Sequence, residues 1–237
     1  QEVINRIRAA ILSLEAQVRQ AVTTRAPSGS VTLPVVAPFP QVAVVPILSK
    51  SKPVHLVYRE NIGMVTVKLK HAVWDGISSP SVQVLETQPG GLNGGNIFGS
   101  LALDSSNQAH IAYINRSPSS IQVKYTNGSV FEVIPMPAGS FPFAEFNAGV
   151  SIAVANNVAY IAVSDDLNIR LFKRTAAGWT MINQIASPAP PGTVLAIRQR
   201  SLAFDNNFNA HIVYSERSLT SLLTFLKEAV ISPTGTI

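Results

Sequence analysis

The sequence predicts an all-β domain of four repeats, each about fifty residues long with four short strands, preceded by an N-terminal α-helix. Three observations carry this expectation. One segment recurs with its residues in register, its copies are almost evenly spaced, and an a/d heptad stripe is confined to the first twenty-three residues.

The helix comes first. Residues Glu2 to Thr23 contain no Gly or Pro, and Ile4, Ile7, Ile11, Leu14, Val18 and Ala21 follow one another at steps of 3, 4, 3, 4 and 3. This is an a/d pattern over about three heptads, and Ile at both a and d favours three or four strands over two. A single amphipathic helix packed on its own domain is the competing reading. The stripe is narrow, however, and a Pro/Ser-rich stretch follows it. A short three-stranded stalk is expected, with Ile4, Ile7, Ile11, Leu14 and Val18 in its seam, which makes the chain a homotrimer.

Residues 24–41 read as an extended linker. Val31 to Leu48 carries no charge, but Pro34, Pro38, Pro40 and Pro46 interrupt it, so it is not a membrane span. The expected organisation is a coiled-coil helix over 1–23, a linker over 24–41 and a β head over 42–237.

The head is read from its repeats. Ser100-Leu-Ala-Leu-Asp-Ser-Ser-Asn-Gln-Ala-His-Ile-Ala-Tyr113 recurs as Ser201-Leu-Ala-Phe-Asp-Asn-Asn-Phe-Asn-Ala-His-Ile-Val-Tyr214. Ser151-Ile-Ala-Val-Ala-Asn-Asn-Val-Ala-Tyr-Ile-Ala-Val163 is a copy one residue shorter, and Pro53-Val-His-Leu-Val-Tyr58 belongs to another. The equivalent residues His55, His110, Tyr160 and His211 are 55, 50 and 51 positions apart.

The first repeat predicts strands at Val42–Leu48, Val54–Tyr58, Met64–Lys70 and Val82–Glu86. The second predicts Ser100–Asp104, Ala109–Ile114, Ile121–Thr126 and Ser129–Ile134, with Asn127-Gly128 as a two-residue type I′ turn. The third predicts Val150–Val154, Val158–Val163, Ile169–Arg174 and Trp179–Ile185. The fourth stops short after Leu222–Leu226, and Val31–Val36 is the expected donor of its outer strand, with Pro34 tolerated on an edge.

Four strands per repeat at this period is the pattern of a β-propeller blade. The Ser-Leu-Ala-x-Asp and Ala-His-Ile-x-Tyr units resemble repeats of bacterial and phage surface β-propellers, such as fibre or lectin-like heads, from Val42 to about Val230. They are also similar to sugar-processing propellers of the sialidase and polysaccharide-lyase kind. What this resemblance implies is the propeller fold.

Composition narrows the function classes. The chain is 46% hydrophobic and 13% charged, about half the usual charged share, which excludes the disordered class. Its 18 basic and 13 acidic side chains give a net charge of +5 with no basic run, so nucleic acid is not an expected partner. There is no cysteine, which excludes disulfides, thiolate metal sites and thiol nucleophiles. The chain starts at Gln1 with no visible signal peptide. Either an upstream part has been removed or the chain belongs to a longer polypeptide.

Residues that carry chemistry are few. His55, His110 and His211 recur once per repeat, so they are expected to bond a neighbouring strand or repeat. A lyase-like site would need a His/Tyr pair, but His110 and Tyr113, three apart on a strand, point to opposite faces. His71, near Lys68, Lys70 and Asp75, is expected to face solvent. No phosphate loop, nucleophile elbow or metal motif appears, so no catalytic residue, metal ligand or cofactor is expected.

A binding surface is the better lead. Arg59, Glu60, Arg116, Asp165, Asp166, Glu216 and Arg217 all follow a second strand, so equivalent loops gather them on one face, with Phe141 and Phe143 at its rim. The expected function is a non-enzymatic attachment protein: the trimeric fibre or spike of a phage or virion, whose head meets a cell-surface protein or glycan. Its expected location is extracellular or on a virion. A free-standing glycan-binding lectin is the alternative, followed by a polysaccharide lyase or glycosidase.

Overall fold

The computed structural model describes residues 43–44, 52–62, 66–89, 99–117, 120–141, 148–188, 192–234 and 236, all within the unit Pro40–Ile237. The expected stalk residues Ile4, Ile7, Ile11, Leu14 and Val18, the linker with Val31–Val36, and Phe143 lie outside the described residues. Among the described residues there is no helix, and sixteen strands form four antiparallel sheets.

The first sheet contains β1 (Ala43–Val44), β2 (Val54–Ile62), β3 (Thr66–Trp74) and β4 (Ser81–Pro89), in that spatial order. The second contains β5 (Gly99–Leu103), β6 (Ala109–Ser117), β7 (Ser120–Thr126) and β8 (Phe131–Val133). The third contains β9 (Gly149–Ala155), β10 (Val158–Ser164), β11 (Asn168–Thr175) and β12 (Gly178–Ala186). Each is a meander in which strands adjacent in sequence are paired.

The fourth sheet departs from this plan. Its first position is filled by two short strands, β13 (Thr193–Ala196) and β14 (Leu202–Phe204), which pair with opposite halves of β15 (Ala210–Ser218). The third position is β16 (Thr224–Ile231), paired along the whole of β15. Among the described residues no strand occupies the fourth position.

Strands form here because short apolar runs alternate between two buried faces. Along β10, Ala159, Ile161 and Val163 pack toward the second sheet, while Tyr160 and Ala162 pack toward the fourth. A strand buried on both faces has no polar alternation, which is why Val158–Ser164 reads as a continuous apolar run. Three buried clusters stack the sheets in sequence order. Val57, Val67, Leu69 and Leu85 meet Leu101, Ala109, Ile111 and Tyr113 between the first and second sheets. Ala112, Ile114, Val123 and Tyr125 meet Ile152, Ile161, Val163 and Phe172 between the second and third. Ala162, Ile169 and Leu171 meet Ala210, Ile212 and Ile231 between the third and fourth. Each large apolar side chain buried in this way contributes about 1.5–3 kcal/mol.

Serine hydroxyls pin consecutive sheets together. Ser100 Oγ accepts the Ile152 N–H (3.1 Å), and Ser151 Oγ accepts the Leu202 N–H (3.0 Å). In each case the first strand of one sheet satisfies a buried donor on the first strand of the next. Close approach adds to this at Gly149, where a Cβ would lie 2.2 Å from the Ile197 carbonyl oxygen.

One turn differs from its expected form. Thr126 pairs with Phe131, so the loop at Asn127-Gly128 has four residues. Only Gly128 takes positive φ, and Asn127 Oδ1 accepts the Ser129 and Val130 N–H groups. This Asx arrangement satisfies the loop donors and replaces the tight turn. The two-residue turn with both φ positive is in the third repeat, at Asn156-Asn157 between Ala155 and Val158.

Candidate functional site

The predicted surface residues fall at the far ends of the second strands. These strands run several residues beyond the expected loops: β2 to Ile62, β6 to Ser117 and β15 to Ser218. Arg59, Glu60, Arg116, Glu216 and Arg217 are therefore strand residues held in register. Arg59 Nε donates to Asn61 Oδ1 (2.9 Å), and Lys70 Nζ pairs with Glu60 (2.7 Å). Arg116 lies opposite Ile121. Lys227 Nζ donates to Glu216 (2.8 Å), which holds the lysine above its ordinary pKa. Arg217 is exposed on β15.

Three residues expected on this surface lie in the interior instead. Asp165 is buried and ion-paired to the buried Arg170, and it accepts the Asn168 N–H (2.8 Å). A carboxylate fully removed from water requires such partners. Asp166 is buried with φ 73°, and its carbonyl accepts the Leu195 N–H (2.6 Å), which joins the third sheet to β13. Phe141, also with positive φ, packs in the core between the second and third sheets. The charge pattern of the sequence signalled a loop here, but nothing in it signalled Arg170 or β13 as partners.

The opposite end of the sheets is built by a repeated turn. Asp104 Oδ1 accepts the Ser106 and Gln108 N–H groups, and Asp205 Oδ1 accepts those of Asn207 and Asn209. The fourth residue of each turn, Asn107 or Phe208, has φ above +60°. The second carboxylate oxygen of each Asp lies 3.5 Å from Nε2 of His110 or His211. Asp and His act together in this lock. The third repeat replaces the turn with Asn156-Asn157 and has Tyr160 in place of the histidine.

All three repeat histidines use Nδ1 in the same way, diagonally across to the third strand of their own sheet. His55 meets His71 Nε2 (3.1 Å), His110 meets the Tyr125 hydroxyl (2.7 Å), and His211 meets Glu228 (2.8 Å). The environments then set the charge. His110 is lowered by burial, which outweighs the Asp104 carboxylate. Partly exposed His211 is raised, mainly by its bond to Glu228. His71, expected to face solvent, is instead half-buried against His55, with the rings stacked 5.3 Å apart. Burial and the neighbouring imidazole push His71 down to about 4.

This imidazole pair borders a cleft of about 200 Å³ between the first and second sheets, lined also by Gln83, Leu85, Gln108, Ile111 and Thr126. The Asn107 amide nitrogen lies 3.3 Å from His55 Nε2. With that amide as donor, Nε2 accepts and the His55 proton sits on Nδ1, directed at His71. Between the second and third sheets the equivalent space is filled. Tyr125 packs edge-on against Trp179, and Glu132 holds both Arg174 and the Trp179 indole N–H (2.7 Å each). Burial pushes the Tyr125 hydroxyl up to about 12. No local pattern signals this cluster, because its members lie up to 54 positions apart. Among the described residues, no group of three or more His, Cys, Asp or Glu is placed to hold a metal ion.

A scan against protein-family models and a search of curated proteins found no match to this chain.

Proposed function

We propose that this protein is a non-enzymatic attachment protein. In this reading the four sheets are blades of a β-propeller head on an N-terminal three-stranded stalk, forming the fibre or spike of a phage or virion. The head binds a cell-surface receptor or glycan. The observation that carries the reading is the recurrence of charged side chains at one end of equivalent second strands: Arg59 and Glu60 on β2, Arg116 on β6, and Glu216 and Arg217 on β15. Equivalent strands in equivalently stacked sheets run in the same direction, so these ends emerge together. Their register on rigid strands suits recognition better than loops would. Three heads on one stalk would multiply weak single contacts.

With Asp165, Asp166 and Phe141 in the interior, the binding surface reduces to the strand-end residues. Ala substitution at Arg116 and Arg217 is expected to weaken cell or glycan-array binding about tenfold or more, the value of a charged hydrogen bond. The melting temperature should stay within a few degrees. Undiminished binding would place the surface elsewhere. Glycan binding by a protein native to a culture supernatant would favour the lectin reading, and release of sugars from a polysaccharide would favour the enzyme reading.

A further inference from the structure

The second and third sheets fill, with their own side chains, the space that the first and second sheets leave as a cleft. Equivalent residues follow from the strand pairing. His71 in the first sheet stands where the second sheet has Tyr125, each bonded to its repeat histidine. Gln83, opposite His71, stands where Glu132 lies opposite Tyr125. On the sheet that follows, Thr126 opposite Ile111 corresponds to Phe172 opposite Ile161. Two residues further on, Gly128 corresponds to Arg174. The third-sheet hairpin then runs longer: eight residues lie between the paired Phe172 and Met181, against four between Thr126 and Phe131. Trp179 stands on that extension.

Between the second and third sheets these larger groups occupy the space. The Trp179 ring packs edge-on against Tyr125, with centroids 5.0 Å apart, and its N–H donates to Glu132, which also holds Arg174. Between the first and second sheets, Thr126 and Gly128 are smaller, and the hairpin turns before it can deliver a ring. A cleft of about 200 Å³ remains. Its floor is apolar, with Leu85 and Ile111 buried, and its mouth lies beside Gln83, Gln108 and Gly128, all exposed. A preformed space of this size, apolar below and polar at the mouth, suits one small ring system.

We propose that this cleft binds a planar, uncharged aromatic ring carrying an N–H or O–H donor: an indole or a phenol. The ring takes the part that Trp179 plays one sheet later, lying on Leu85 and Ile111 against His71. Its donor reaches the Gln83 side-chain oxygen as the Trp179 N–H reaches Glu132. Charge sets the ligand class. Gln83 has no carboxylate to hold a cation such as Arg174, and burial keeps His55 and His71 below their ordinary pKa, so both are neutral at neutral pH. None of the described residues lining the cleft is then charged. An ammonium or guanidinium entering it loses water without gaining a counter-ion, whereas a neutral ring buries apolar surface and keeps its one donor satisfied. His55 and Ala109 lie near the start of the second strands whose far ends carry Arg59 and Arg116, so the inference does not rest on the proposed receptor surface.

The test is a titration of the full-length protein with indole, following the histidine imidazole signals by NMR. The His55 and His71 signals should shift together and saturate, with half-saturation on the order of 1 mM for so small a ring, while His211 in the fourth sheet stays unchanged. 1-Methylindole keeps the ring but lacks the donor, and should bind about three- to tenfold more weakly. Gln83→Ala, at an exposed position where folding is preserved, should weaken indole by the same factor and leave 1-methylindole unchanged. N-acetyl-tryptophanamide separates the sources of the ring. Binding equal to that of indole means the ring can arrive as a side chain on a peptide, and binding of indole alone means a free small molecule. Four results would overturn the inference: no saturable shift at about 10 mM indole, equal shifts at His211, equal affinity for indole and 1-methylindole, or tighter binding of benzylammonium. Loss of receptor binding on altering Arg116 and Arg217 would leave these shifts in place, so the two readings fail separately.

Discussion

Ser151→Ala tests whether hydroxyl pins hold consecutive sheets together. Ser151 is fully buried, and its Oγ is the acceptor for the Leu202 N–H at 3.0 Å. Leu202 is itself buried on β14, so the alanine leaves a backbone donor without a partner and without access to water. An orphaned buried donor costs about 1–3 kcal/mol, and for a chain of this size each kcal/mol lowers the melting temperature by about 2–4 °C. A fall of about 4–8 °C is therefore expected, taking the middle of the range. Ser100→Ala should behave alike, because it orphans the Ile152 N–H in the same way. Ser201→Ala is the internal control. That hydroxyl bonds the Arg198 N–H in an exposed turn, where water can replace it, and the expected change is within about 0.5 kcal/mol. The assay is urea unfolding followed by circular dichroism, with calorimetry for the midpoint. Equal effects at all three serines would refute the argument, since their chemistry is the same and only their burial differs.

Two further outcomes follow from the same geometry. Gly149→Ala should cost about 2–3 kcal/mol in urea unfolding, because its Cβ would meet the Ile197 backbone rather than a movable side chain; a loss below about 1 kcal/mol would show that the β9–β13 approach is looser than described. Acid should destabilise the fold through His71. Its folded pKa of about 4 lies below the unfolded value of 6.5, so the unfolded chain takes up the proton first and stability falls as pH drops from about 6.5 to 4. Discounted for solvent screening of this half-buried ring, the loss at pH 5 is about 1 kcal/mol from this residue, and His71→Gln should remove that part of the acid limb in unfolding measured from pH 7 to 4. His55 and His110, also lowered, act in the same direction. His211 acts oppositely, with its contribution present at low pH and lost as pH rises through its raised pKa.

Much of the architecture was legible in the chain because it is written locally. Alternating apolar runs set the strands, and most expected cores survive: Ile169–Arg174 lies within β11 and Trp179–Ile185 within β12. Asp104 and Asp205 each bond backbone within four residues, so the same aspartate at the same repeat position makes the same turn although the residues after it differ. The division of the fourth sheet's first strand into β13 and β14 was not legible. Thr193–Ala196 becomes a strand only by pairing with Ser215–Ser218, 19 to 25 positions away.

The sequence by itself determined the repeat, its strands and the bonding role of its histidines, because period-two alternation and turn chemistry act over a few residues. Only the tertiary structure decided which polar groups meet water. Asp165, Asp166 and His71 have the composition of surface residues, yet Arg170, β13 and His55 enclose them. Ser100 and Ser201 begin equivalent repeat segments, yet one is buried under the third sheet and the other turns back on its own. The difference lies in what the next sheet covers. That depends on the packing of residues some fifty positions apart, which no local pattern encodes.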